Sequence, residues 1–256
     1  MLTWRSSLPT VVAAVVVAVA ATGQATATWS VLAVDPKRDA MGVASASCVD
    51  ADIRPIMLVF PELAPIGRRP GRPARGVGIV QAAFEPGNWS LAGRLMKRGL
   101  APADVLARLT DPARDPRSGE RQYGIVGARG AVATFTGPST PAWSGAMTAR
   151  GLAVLGNTLA GPEVVSEAFA AYRSTRSPLL ERRLIRALAA GARAGGDNRC
   201  GPLRATSAGM IVVAPGRWTF LAAVTSRPAQ RNAVAVLERK LRSHLARIER
   251  SSDRPA

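Results

Sequence analysis

The chain of 256 residues has one histidine, two cysteines and three lysines, and each shortage removes a class of answer. His244 stands twelve positions from the C-terminus, a poor place from which to run a Ser-His-Asp or Cys-His mechanism. His244, Cys48 and Cys200 together are too few ligands for a zinc finger or a three-histidine zinc centre. No metal or cofactor is therefore expected. Aromatic residues make up only 5% of the chain. Acidic residues are scarce too, 17 Asp plus Glu against 34 Lys plus Arg, for a net charge of +17. No apolar run reaches the roughly 20 residues that span a bilayer.

What is present is ordinary globular material, 47% hydrophobic and 20% charged, long enough for one sizeable core. Only Lys37, Lys97 and Lys240 are lysines, so the positive charge is almost all arginine and is scattered, a pattern that base composition alone can produce. Two concentrations keep an acidic partner in view. Arg68, Arg69, Arg72 and Arg75 form a Pro/Gly-rich basic loop, and residues 227–256 carry eight positive and three negative side chains. An anionic surface or wall polymer would suit them. Nucleic acid ranks lower, because no aromatic residue is interleaved with the basic loop for base stacking. A homo-oligomer is compatible with the sequence.

Residues 1–27 read as a secretory signal: Arg5, the apolar run Val11 to Ala21, then the Ala-x-Ala pattern ending at Ala27. Cleavage after Ala27 makes Thr28 the first residue; cleavage after Ala25 fits the small-residue rule less well. The expected location is secreted or periplasmic. Two distant cysteines in an exported chain suggest one disulfide, Cys48 to Cys200, with two buried thiols as the alternative.

In the remainder, strands are expected at 28–34, 41–47, 76–83, 121–127, 131–136, 151–156, 206–214 and 217–225. Helices are expected at 89–98, 102–110, 162–173, 178–194 and from 230 onward. Strands cluster at both ends, with pairs of helices between, which indicates an α+β architecture. The expected units are the signal at 1–27, one domain over 28–226, and a basic amphipathic C-terminal helix and tail over 227–256. Val234, Leu237, Leu241, Leu245 and Ile248 share one face of that helix, which either packs on the domain or lies on a membrane or partner.

An enzyme without a usable histidine needs another base. An α-amino group has an unperturbed pKa of about 7.7–8.0, so an N-terminal threonine carries nucleophile and base on one residue. Thr28 would become such a residue through processing alone.

The segments TWSVLAVDP, GVASASC, the Gln81 strand, ERQYGIVGARGAVATFTG, GNTLAGPEVV and AGGDNRC occur in this order. They resemble the bacterial and archaeal family catalogued as domain of unknown function 1028, placed among the N-terminal nucleophile (Ntn) hydrolase-like proteins. The resemblance covers about residues 28–215. It implies a four-layer αββα sandwich whose first strand begins with the candidate nucleophile, Thr28. Cys48 and Cys200 depart from the family's pattern and imply an exported, two-cysteine branch. No lysine follows the second strand closely, unlike in many Ntn hydrolases.

The implied reaction is hydrolysis of a small amide or peptide-like substrate by Thr28. Asn157 is the candidate oxyanion donor or else a turn residue, and Ser47, with Ser45, is within reach of Thr28 or simply small enough for close packing. Asp197 and Arg199 in GGDNRC are candidates for shaping a substrate pocket. Gln81 and Gln122 are polar residues in apolar strands, which need partners whether they are structural or line a pocket. Asp35 before Pro36 reads as a turn former. The rival function is a non-catalytic binding protein on the same fold, associated with the cell wall or an anionic surface.

Overall fold

The computed structural model describes residues 28–51, 53, 76–215, 217–225 and 231–252. Residues 1–27, where a signal is expected, and the basic loop Arg68–Arg75 lie outside the described residues. Among the described residues nine strands run in order: β1 Thr28–Asp35, β2 Ala40–Ser47, β3 Gly76–Ala82, β4 Arg121–Gly127, β5 Val132–Thr136, β6 Gly145–Ala149, β7 Leu152–Asn157, β8 Ser207–Ala214 and β9 Arg217–Val224. The helices are α1 Pro86–Lys97, α2 Pro102–Leu109, α3 Glu163–Ser174, α4 Leu180–Arg193 and α5 Ala233–Ser252. The fold is mixed α+β with two antiparallel sheets: six strands in the order β6-β7-β1-β2-β8-β9, and three in the order β3-β4-β5. Strand β6 was not among the sequence expectations. Its GAMTA segment is short and mostly half-exposed or exposed, so it carries little alternation to read.

β1 is buried along almost its whole length, and its two faces serve different cores. Trp29, Val31 and Ala33 pack with α3, α4 and α5 through Val164, Leu184, Leu188 and Leu237. Leu32 and Val34 pack with Val43, Ile79, Val126 and Ile211, between the two sheets. The outer face of the small sheet, through Val80, Tyr123 and Ile125, packs on Leu95, Val105 and Leu109 of α1 and α2. Trp29 anchors the start of β1: its Nε1 donates to the Leu188 carbonyl at 3.2 Å. Gly191 of α4 makes room for the indole, since a Cβ there would lie 2.8 Å from Nε1.

The C-terminal helix is part of this body. Val234, Leu237, Leu241 and Leu245 are buried in the core shared by the helices and the larger sheet, so the apolar face of α5 is taken up within the protein. Asp35 accepts from the Arg38 backbone N–H at 3.3 Å and so closes the β1–β2 turn, while pairing with Arg38 and Arg183. Among the described residues no helix is long and apolar enough to cross a membrane.

Candidate active site at the start of the first strand

Thr28 opens β1 between Ser47 on β2 and Asn157 on β7, its two register partners. Ser47 pairs in turn with Ser207 on β8. Asn157, Thr28, Ser47 and Ser207 thus make one polar row across four adjacent strands. Period-two alternation puts these side chains on the face that carries Leu32, Val43, Leu155 and Ile211, toward the small sheet. Every member of the row is at most 1% exposed.

Buried polar groups must be paired, and the small sheet supplies the partners. Gln81 Nε2 donates to the Thr28 carbonyl at 3.2 Å and to Gln122 Oε1 at 2.6 Å. Its Oε1 accepts from Ser30 Oγ at 2.7 Å, and Ser30 Oγ lies 2.8 Å from Ser45 Oγ. Gln122 Oε1 accepts a second bond, from Asn157 Nδ2 at 3.2 Å. Gln122 Nε2 donates to the Gly156 carbonyl at 2.8 Å and to Thr136 Oγ1 at 2.9 Å. Gln81 and Gln122 are therefore each other's partners and tie the small sheet to β1 and β7. Both amide protons of Gln81 are spent on protein groups, so it holds Thr28 in place and keeps no proton for a ligand. One Nδ2 proton of Asn157 is engaged by Gln122, which leaves the second uncommitted.

The backbone is strained just beyond both amides. Thr158 has φ +53 and Ala82 has φ +65, immediately after Asn157 and Gln81. A left-handed β-branched residue is an outlier that costs roughly 1–3 kcal/mol. Thr158 is held there by Thr158 N–H to Pro141 O at 3.1 Å and by accepting from Asn198 N at 3.1 Å. The strain ends β7 so that Asn157 is its last residue. Gly156 allows the close approach to β1, because a Cβ there would sit 2.9 Å from the Thr28 carbonyl oxygen.

Asp197 and Arg199 lie in the loop that spans the same end. The fully buried Asp197 carboxylate accepts from the Cys48 N–H at 2.7 Å and from the Arg199 N–H at 3.0 Å. The Arg199 guanidinium adds bonds of 3.1 Å from Nε and 2.9 Å from Nη2. Asn198 and Gly196 bond to the residues following β7, so this loop links the ends of the two strands that flank Thr28. A disulfide joins Cys48 to Cys200 with Cα atoms 5.5 Å apart, pinning the loop to the end of β2. The structure brings Thr28, Ser47, Asn157, Gln81, Asp197 and Arg199 to one end of the sandwiched sheets.

The start of β4, and with it Gln122, is braced from outside. Arg121 Nη2 donates to Asp115 at 3.0 Å and its Nη1 to the Ala83 carbonyl at 2.8 Å. Hydrogen bonding from Arg121 holds the Asp115 carboxyl below its usual range. None of the three lysines lies on an element of the row: Lys37 is in the turn at the far end of β1, Lys97 ends α1, and Lys240 is on α5. Among the described residues no group of three or more His, Cys, Asp or Glu could hold a metal ion.

Ser30 and the bond between Gln122 and Asn157 were not legible in advance. Gln122 in an apolar strand was the available signal; its partner across the sheets was not.

The family model described as "Family of unknown function (DUF1028)" matches residues 28–234, and the chain belongs to that family. Among solved structures, the chain is similar to a protein of the same family from Silicibacter pomeroyi. The TM-score is 0.67 at 25% identity, with 85% of each chain covered. Comparison with curated proteins finds no match.

Proposed function

We propose that the protein is exported, is cut after Ala27, and hydrolyses the amide bond of a small amide or peptide-like substrate through Thr28. The layers, helices on both outer sides of two packed sheets, are read here as a four-layer αββα sandwich of the Ntn-hydrolase type. The observation that carries the proposal is the row Asn157–Thr28–Ser47, placed where the strand begins and backed by a buried amide network that grips the Thr28 carbonyl.

In the unprocessed chain the nitrogen of Thr28 is a peptide nitrogen with no basicity. Cleavage converts it into an amine, which takes the Oγ proton as Oγ bonds to the substrate carbonyl carbon. The uncommitted Nδ2 proton of Asn157 donates to the oxyanion. The ammonium then protonates the departing nitrogen, the C–N bond breaks, and an ester on Thr28 remains. Water, deprotonated by the same amine, attacks the ester and restores Oγ–H. Gln81 acts by positioning, through the Thr28 carbonyl, and Ser47 flanks the nucleophile.

Mass spectrometry of the mature chain is the first test: it should begin at Thr28, and any other start leaves the mechanism without a base. Turnover of a panel of N-acyl amino acids and short peptides should follow. Thr28→Ala should lower it by about a thousandfold or more. The neutral amine is the base, so the rate should rise with pH through about 7.7–8.0 and level off above it. A rate that falls over that range would exclude the amine.

A further inference from the structure

The larger sheet is wider than the one packed on it. Among the described residues the small sheet packs over β1, β7, β6 and β2, and the inter-sheet side of edge strand β9 lies beyond it. Trp218 and Phe220 pair with Val213 and Ile211, and Val224 with Ser207, so all three point to that inter-sheet side. They remain 44%, 42% and 47% exposed. On the other side of the same edge, a groove of about 680 Å³ separates β9 from α5. Four cations, Arg239, Lys240, Arg247 and Arg250, line it beside Leu221, and no carboxylate does so among the described residues. The acidic residues of α5, Glu238 and Glu249, lie on the α4 side instead, beside Arg242 and Arg182.

We infer that the β9 edge is a docking surface for an anionic lipid bilayer, with Trp218, Phe220 and Val224 entering the headgroup region and the α5 cations meeting lipid phosphates. Half-exposed aromatics on one side of the β9 edge and a strip of cations on the other match the two demands of such an interface, apolar insertion and attraction to anionic headgroups. A second copy fits poorly. Pairing β9 with β9 would bring two sets of α5 cations together on a chain of net charge +17. Lys240 Nζ also occupies the Ala222 carbonyl at 2.7 Å, an edge group that a new strand would need. The apolar face of α5 is buried in the core, so β9, not the helix, supplies the insertion. The inference is independent of any reaction at Thr28.

The test is flotation of the purified chain with vesicles of phosphatidylcholine alone or mixed with phosphatidylglycerol, at low and high salt. Binding should require phosphatidylglycerol and weaken steeply with salt. Trp218→Ala with Phe220→Ala should weaken it about tenfold or more. Arg239→Gln and Arg250→Gln should each weaken it about fivefold. Wild type and variants share the same N-terminus, so the apolar stretch 11–21 contributes equally, and unchanged thermal melts confirm folding at these surface positions. Equal binding to neutral vesicles, or binding indifferent to the β9 variants, overturns the inference. So does capture by a soluble polyphosphate without vesicle binding, or a dimer that Trp218→Ala dissociates.

Discussion

The space between the two sheets has two ends made to opposite rules. At one end Leu32, Val34, Met41, Val43, Ile79, Val126 and Ile211 fill it with hydrocarbon. At the other, on the same strands and the same face, Thr28, Ser30, Ser45, Ser47, Gln81, Gln122 and Asn157 are all at most 1% exposed. Hydrocarbon packs without regard to direction, whereas hydroxyls and amides must meet partners at fixed distances and angles. The apolar end thus supplies stability, and the polar end supplies a defined geometry around one residue. A fold selected only for stability gains little from seven buried polar side chains, since apolar replacements of the same shape can be neutral or stabilising.

The apolar end breaks most expensively. Leu32→Ala should destabilise the fold by about 2–5 kcal/mol, because Leu32 is fully buried and the surrounding sheets relax only partly. Denaturant unfolding reads this loss. If the ends have separate roles, turnover per folded molecule should stay within about twofold of wild type. A large drop in turnover at unchanged folded fraction would show that the two ends are coupled.

Substitutions at the polar end should cost less stability and more function. Gln122→Met takes from Gln81 Nε2 the shorter of its two bonds, removes the Asn157 partner, and takes a donor from the Gly156 carbonyl. The expected cost is about 2–3 kcal/mol, from unpaired buried groups. Adding Gln81→Met removes one of those orphans, so the double variant should cost less than the sum by about 1–2 kcal/mol. Strict additivity would mean the 2.6 Å bond between the amides contributes nothing. Turnover in Gln122→Met should fall at least tenfold, because Asn157 loses the bond that orients it.

The sequence revealed the apolar end more readily than the polar one. Alternation in TWSVLAVD and the small-residue run in AMGVASAS were enough to place β1 and β2, and the hairpin then paired Thr28 with Ser47. Motif order pointed to the family, and the expectation of export suggested that Cys48 joins Cys200, as it does. Long-range pairings left no such trace. Gln81 and Gln122 meet across β3 and β4, and Asn157 reaches β1 from a strand more than a hundred residues later. Nothing local encodes that neighbour. β6 was missed for a related reason, since an edge strand with a half-exposed pattern has no alternation to detect. α5 showed its apolar face plainly, but only the packing shows that the core takes it up and that β9 keeps its aromatics outside.

The smallest effect discriminates most sharply between geometry and stability. Ser30 faces the same way as Thr28, two residues along β1, and touches only the network: its Oγ donates to Gln81 Oε1 and lies against Ser45 Oγ. Ser30→Ala removes one hydroxyl and leaves Gln81 Oε1 unpaired, at a cost of about 1 kcal/mol. Its effect on function must travel through Gln81, which holds the Thr28 carbonyl at 3.2 Å. If the amide network positions Thr28, Ser30→Ala should lower kcat by about three- to tenfold with KM little changed, and Ser30→Thr should restore part of the loss by returning the hydroxyl. A variant that loses the 1 kcal/mol but keeps kcat would make Ser30, Gln81 and Gln122 a polar core and nothing more. The site would then reduce to Thr28 with its two register partners.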